Sequence, residues 1–248
     1  MEEITPVLFF LVIISLFLVV RIRPDNRRFK ETLDSFSKND LIVIFNSGGW
    51  GYTPSEKSAD FIPIMEGIEQ SLRDLGYNPA IVNFFRAKNN YLGKFTALKD
   101  IILNSFKNQT SILSREIEDF LNVNKEKKII MVGLSAGATF ADIVIGKIPE
   151  NMKNRILAIE VGPYTWERKL SSENIFRFNN KGRDPISRGN RIKAAGGYLK
   201  IYLKWILAAA SGRKITLAEI IHSEGHDYSW QEIKPEIVSF LENRLKRG

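Results

Sequence analysis

Cysteine is absent from this 248-residue chain, and only two histidines are present. The first absence excludes disulfide bonds, thiolate metal sites and a cysteine nucleophile, and the second leaves too few imidazoles for a histidine-rich metal centre. The sequence also contains no GxxxxGK[ST] or GxGxxG pattern, which disfavours nucleotide binding. We therefore expect a protein that works without a metal or another cofactor.

Residues 4–20 form an uncharged apolar run, just long enough at about 1.5 Å per residue to cross a thin hydrocarbon core as a helix. A cleaved secretory signal is disfavoured because two glutamates precede the run and no small residues end it. Five basic residues and one aspartate follow within residues 21–30. The positive-inside rule therefore predicts that the remainder of the chain lies on the cytoplasmic side of the membrane. We predict a single-pass anchor with its juxtamembrane segment over residues 1–30 and a catalytic domain over residues 31–248. An amphipathic or buried N-terminal helix is the alternative.

Six short apolar runs predict β-strands, and amphipathic periodicity between most of them predicts helices. Strands that are apolar throughout and separated by helices are typical of a parallel sheet covered on both faces. With 44% hydrophobic residues, the chain can bury one sizeable core. We therefore predict an α/β fold with a mostly parallel, doubly wound sheet of about six strands. The predicted strands cover residues 41–45, 80–84, 129–132, 156–161, 175–178 and 215–221.

The pentapeptide GLSAG, residues 133–137, lies between a predicted strand and a small-residue helical segment, residues 136–145. Glycines on both sides of the serine permit a sharp strand-to-helix turn that exposes the hydroxyl. Ser135 is therefore the candidate nucleophile, at the end of its strand where α/β sheets bind ligands. A glycine-rich turn with a solvated serine is the alternative.

A nucleophilic serine needs a base, and both histidines lie near the end of the last predicted strand. His226 belongs to the polar loop SEGHDY, residues 223–228, and a glycine precedes it. His222 lies at the end of the predicted strand itself. Side chains alternate between the two faces of a strand, which favours a His222 side chain packed against the protein. His226 is therefore the preferred base, and His222 is the alternative.

Asp184 is the preferred acid because it is the only carboxylate between Glu173 and Glu219. It follows the predicted strand at 175–178, so we expect it near the same edge of the sheet. The residue also suits an N-cap role, since a proline follows it. Glu160, at the end of the preceding strand, is the reserve acid.

Backbone amides for a developing oxyanion are expected from the loop NSGGWG, residues 46–51. Gly49 is the first choice for the loop donor, and Trp50 is the second. Ala136 supplies the other amide because it opens a helix whose N-terminal end favours negative charge. The alternative is a turn that binds another anion, such as phosphate.

From about residue 40 onward, these motifs resemble the α/β-hydrolase family. GLSAG matches the family's nucleophile elbow, NSGGWG resembles its oxyanion loop, GRDP resembles the acid turn, and EGHDYSW resembles the histidine loop. The resemblance implies a serine hydrolase whose triad is Ser135, Asp184 and His226, in the family's chain order. The chain departs from the family pattern in two ways. An asparagine and a serine precede the glycines of the loop, where many members carry a histidine, and the two earliest strands of the family are lacking.

The expected function is hydrolysis of an acyl ester or thioester, with lipid-derived esters among the candidates. Nine basic residues and one aspartate within residues 181–214 predict contact with anionic lipid headgroups, with a solvated helix as the alternative. Nucleic acid is disfavoured because no recognition motif accompanies this charge. An inactive membrane-tethered scaffold, a serine peptidase and an acyltransferase are the alternative functions.

Overall fold

The structure is a computed structural model in which nine segments of the chain are described. The predicted membrane span at residues 4–20, the predicted sixth strand and both histidines lie outside these segments, as does most of the basic segment 181–214. Within the described part, no helix has both the length and the apolar composition of a membrane span. The described residues are 27–36, 38–59, 61–103, 106–164, 173–182, 184, 207–208, 211–212 and 228–245.

Five strands are described: β1 (Leu41–Asn46), β2 (Pro79–Asn83), β3 (Lys128–Leu134), β4 (Ile156–Val161) and β5 (Ile175–Phe178). They form one sheet in the order β2-β1-β3-β4-β5, and every neighbouring pair is parallel. Each of the five coincides with a predicted apolar run, with ends shifted by at most two residues. The predicted α/β class and parallel sheet are therefore confirmed.

The described helices connect the strands and cover the sheet. They are α1 (Arg27–Ser35), α2 (Ile62–Asp74), α3 (Tyr91–Leu103), α4 (Lys107–Val123), α5 (Ala136–Ile145), α6 (Glu150–Lys153) and α7 (Trp230–Leu245). Helix α1 continues across residues 30 and 31, where we expected the anchor segment to end. The ring of Phe29 packs edge-on against Phe84 with their centroids 5.1 Å apart. Helix α1 is therefore packed onto the globular core.

Both faces of the sheet are buried, because successive side chains of each strand point to opposite faces. On β3, Ile129 and Met131 join a core cluster with α1, α3, α4 and α5. Ile130 and Val132 join the opposite cluster with α2 and α7. This three-layer arrangement leaves the carboxyl ends of all five strands at one edge of the sheet.

Helix α7 is fixed against α2 by a close approach at Gly67. A β-carbon at Gly67 would collide with the ring of Trp230, so only glycine allows the indole to contact the helix backbone. Beyond this contact, Ile233, Ile237 and Leu241 of α7 are fully buried. The last helix is thus held by an apolar stripe and by one aromatic ring at its first turn.

Candidate active site

Ser135 occupies the turn between β3 and α5 with φ 51° and ψ −114°. A residue with a side chain rarely adopts this backbone conformation, and the strain persists only where the surroundings enforce it. The Ser135 amide donates to the carbonyl of Val161 at 2.8 Å, and the Ser135 carbonyl accepts from the Thr139 amide at 3.1 Å. The strand, the strained turn and the helix of the predicted elbow are therefore present, but Ser135 itself is only 4% exposed, so the expectation of an exposed hydroxyl is wrong.

The two glycines of the pentapeptide allow α5 to approach its neighbours closely. A β-carbon on Gly133 would lie 2.6 Å from Cα of Ala138 in the first turn of α5. A β-carbon on Gly137 would collide with the carbonyl oxygen of Asn46 and lie 2.6 Å from that of Ser47. The start of α5 is therefore pressed against the end of β1, which brings the elbow beside the loop that follows β1.

That loop, residues 47–51, forms a turn at the carboxyl end of β1. Gly49 and Gly51 have φ 49° and 72°, in the region that favours glycine. The Gly51 amide donates to the carbonyl of Gly48 at 3.0 Å. A β-carbon on Gly48 would lie 3.1 Å from the carbonyl oxygen of Leu134. The loop predicted to hold the oxyanion therefore runs beside the residue that precedes Ser135.

Asp184 is fully buried and accepts a hydrogen bond from the hydroxyl of Tyr228. Tyr228 packs over Gly162, which has φ 58° and where a β-carbon would collide with the tyrosine hydroxyl. Gly162 directly follows Val161, the residue whose carbonyl accepts from the Ser135 amide. The structure therefore places Asp184 and Ser135 at the same edge of the sheet, with the end of β4 between them.

The predicted base, His226, and its alternative, His222, lie outside the described residues. The same holds for the residues after Asp184, so its alternative role as an N-cap stays a prediction. The structure thus places the predicted nucleophile, the predicted acid and the predicted oxyanion loop at the carboxyl edge of the sheet.

The reserve acid Glu160 has partners of its own beneath α5. Its fully buried carboxylate accepts from Nε of Arg177 at 2.8 Å, and Nη2 of Arg177 lies 3.4 Å from a carboxylate oxygen of Asp142. Burial raises the pKa of Glu160 to about 8; Arg177 lowers this pKa in part, and the nearby Asp142 carboxylate raises it further. Glu160 is therefore already engaged by Arg177 and Asp142 beneath α5, which favours Asp184 as the acid.

Two side chains that shape this edge received no role from the sequence. Tyr228 lies within the EGHDYSW motif, but nothing in the motif indicates that its hydroxyl contacts Asp184. Arg86 follows β2 and binds the loop at residues 47–51. The one available signal for Arg86 was a charged residue two positions after the apolar run at 80–84.

No family model and no curated protein matches the sequence. Among solved structures, the chain is similar to a Trichoderma reesei cutinase determined in complex with a C11Y4 phosphonate inhibitor. The two share 11% sequence identity with a TM-score of 0.49, over 93% of this chain and 96% of the cutinase chain. The fold class therefore rests on the strand order and the turn geometry described above, which are those of a parallel α/β sheet consistent with an α/β-hydrolase.

Proposed function

We propose that this chain is a membrane-anchored serine hydrolase that cleaves an acyl ester or thioester through a Ser-His-Asp triad. The observation that carries the proposal is the strained backbone of Ser135 at the carboxyl end of β3, the middle strand of the described sheet. Ligands of open α/β sheets bind at this edge, and backbone strain is concentrated at functional turns. The motif resemblance to the α/β-hydrolases supports the same activity.

In the proposed reaction, the Ser135 hydroxyl attacks the acyl carbonyl carbon while His226 accepts its proton. Asp184 accepts a hydrogen bond from the second imidazole nitrogen and so holds the ring in the productive tautomer. His226 then donates the proton to the leaving group, and a water molecule releases the acyl group from the serine by the reverse sequence. Tyr228 supports this assignment because it contacts Asp184 and is two residues from His226, about 7 Å of extended chain.

The tetrahedral oxyanion is held by backbone amides on both sides of the nucleophile. Ala136 is the first residue of α5, so its amide has no acceptor within the helix and lies at the positive end of the helix dipole. Gly49 or Trp50 supplies the second amide from the loop beside Leu134. Amides fixed by the fold need no reorganisation during the reaction, and one such donor is typically worth about 10²–10³ in kcat.

A fluorophosphonate probe tests the proposal on the full chain in membranes or mild detergent. We expect one adduct, on Ser135, and complete loss of labelling in Ser135→Ala. The matched control is Ser71→Ala, whose hydroxyl donates to the Gly67 carbonyl at 2.7 Å within α2 and lies away from the site. His226→Ala and Asp184→Asn should slow labelling strongly. A folded wild-type chain that does not react contradicts the proposal and favours the inactive scaffold.

The substrate class is tested by the products formed. We expect release of free acid from p-nitrophenyl esters, acyl thioesters or lysolipids in water. Transfer of the acyl group to an added alcohol in preference to water identifies an acyltransferase, and cleavage of peptides with ester substrates untouched identifies a peptidase. These alternatives share every residue of the proposed site, so only the reaction itself separates them.

We also propose that residues 4–20 anchor the domain at the cytoplasmic face and that residues 181–214 contact anionic lipids. Both proposals rest on charge and hydropathy along the sequence. External protease should digest the domain in inverted vesicles and leave it intact in right-side-out vesicles; the reverse pattern contradicts the orientation. Hydrolysis of a lipid ester should be faster in phosphatidylserine-containing vesicles than in neutral ones. Lys200→Glu/Lys204→Glu should remove that advantage, and an unchanged advantage rejects the headgroup contact.

A further inference from the structure

Arg86 is a buried arginine whose side chain binds the backbone of the candidate oxyanion loop. It lies three residues after β2 and is 3% exposed. Its Nη2 donates to the carbonyl of Ser47 at 2.6 Å and to that of Gly49 at 3.3 Å. One guanidinium nitrogen therefore holds two carbonyls of the segment that contains the proposed loop donors.

The guanidinium is fixed by packing as well as by these hydrogen bonds. Its central carbon lies 5.4 Å from the ring centroid of Phe106 and 5.7 Å from that of Phe140, within the range of cation–π contacts. The Arg86 amide also donates to the carbonyl of Gly51 at 2.7 Å. A β-carbon on Gly51 would lie 2.8 Å from the guanidinium carbon, so the loop and the arginine are in direct contact.

The direction of a loop amide follows from the direction of its carbonyl, because C=O and N–H point in opposite directions in a planar trans peptide. The Gly49 carbonyl and the Trp50 amide belong to one peptide. Because Arg86 binds that carbonyl, the amide of Trp50 points away from the guanidinium. The direction of the Gly49 amide is fixed by a different hydrogen bond. Its peptide partner, the carbonyl of Gly48, accepts from the Gly51 amide. We propose that Arg86 is a positioning residue that aims the Trp50 amide at the acyl oxygen of the bound ester. This inference rests on the proposed function.

Arg155 provides a matched control at the opposite edge of the sheet. It directly precedes β4, and its Nη1 donates to the carbonyls of Leu121, Asn124 and Lys125 at 3.0, 3.2 and 2.7 Å. Both arginines therefore stabilise a turn by binding its carbonyls. Replacement by lysine keeps the charge at either position but removes the planar guanidinium fork.

The experiment compares the full-length wild type, Arg86→Lys and Arg155→Lys by melting temperature, by kcat and KM on a p-nitrophenyl ester, and by hydrogen exchange. We expect both variants to melt at a lower temperature. Arg86→Lys alone should lower kcat by about 10²-fold with KM within about twofold, as for loss of one oxyanion donor. The same variant should speed amide exchange in residues 47–51, whereas Arg155→Lys should leave kcat and this exchange unchanged.

A second variant, Phe106→Leu, keeps Arg86 and removes the ring against its guanidinium. We expect a smaller loss of kcat in the same direction. Equal kcat values for the two lysine variants, or a loss confined to KM, overturn the inference. Unchanged exchange in residues 47–51 of Arg86→Lys overturns it whatever the activity. A wild type that neither hydrolyses esters nor labels at Ser135 instead contradicts the proposed function itself.

Discussion

The two edges of the sheet are built differently. At the carboxyl edge lie all three described non-glycine residues with positive φ: Ser135, Asn180 and Lys181, at 51–52°. At the amino edge the described non-glycine residues have negative φ, and ordinary contacts such as the 2.7 Å hydrogen bond from Lys127 Nζ to the Asn39 carbonyl hold the loops. In the part of the chain that the structure describes, positive φ at non-glycine residues is thus confined to the carboxyl edge, where the proposed active site lies, and such strain is concentrated at functional sites of proteins.

Polar groups follow the same division. Ser47, Arg86 and Asp184 are 2%, 3% and 0% exposed at the carboxyl edge. At the amino edge, the hydrogen bond of 3.2 Å from the Asn78 amide to Asp40 is exposed to water. Buried polar groups depend on their protein partners because water cannot replace them. Conservative substitutions should therefore have larger effects at the carboxyl edge than at the amino edge.

The largest effect is expected at Gly137. Gly137→Ala places a β-carbon against the carbonyls of Asn46 and Ser47, so α5 must move away from β1. We expect a loss of more than about 3 kcal/mol in the free energy of unfolding, or failure to fold, measured by urea denaturation. The control is Gly146→Ala at the other end of α5, where the backbone is already helical at φ −60° and ψ −18°. Similar stability of the two variants contradicts the tight elbow.

The second effect concerns Glu160 and pH. Because the pKa of Glu160 is raised from 4.5 to about 8 by burial, the folded state binds a proton more tightly than the unfolded state. Its contribution to stability is complete below pH 4.5 and is lost as the pH rises towards 8, at up to about 1.4 kcal/mol per pH unit. Glu160→Gln should flatten this dependence, measured by denaturation between those pH values. A slope for Glu160→Gln equal to that of the wild type rejects the raised pKa.

The third effect compares two tyrosine hydroxyls, one at each edge. Tyr228→Phe leaves the buried Asp184 carboxylate with one donor fewer, so we expect a stability loss of about 1–2 kcal/mol and a several-fold lower kcat. Tyr77 precedes β2 and donates to the Leu245 carbonyl at 3.0 Å at the amino edge. Tyr77→Phe should cost about 1 kcal/mol without changing kcat. If kcat changes equally in both variants, or in neither, then the contact of Tyr228 with Asp184 does not contribute to catalysis.

The smallest effect is expected away from both edges. Arg73 and Glu69 form an exposed ion pair of 2.7 Å one turn apart on α2. Arg73→Ala should change the free energy of unfolding by about 0.5 kcal/mol or less, because water screens the pair. Calorimetry at low and high salt measures this difference. A loss of unfolding free energy larger than this contradicts the comparison, because an exposed ion pair would then matter as much as the buried groups at the carboxyl edge.

The sequence predicted the features that depend on local chemistry. Five apolar runs located the described strands, and the glycines of residues 133–137 located the turn at Ser135, because a β-carbon there would collide with neighbouring backbone. Asp184, preferred as the only carboxylate between Glu173 and Glu219, lies buried at the expected edge, whereas His226 stays a prediction. Arg86 and Tyr228 were missed because each bonds a partner about 40 residues away, at separations of 39 and 44. Such pairings are created by the strand order, which no local pattern encodes.

The contact between Gly67 and Trp230 has a consequence for how inactive variants of this protein arise. The segment that carries His226 leads directly into Trp230, whose indole rests on the bare backbone of a helix that supplies no catalytic group. A side chain at position 67 would displace the ring and with it the first turn of α7, which directly follows that segment in the sequence. A random-mutagenesis screen for loss of the proposed hydrolysis should therefore recover substitutions of Gly67 alongside those of Ser135, although the two residues belong to different layers of the molecule.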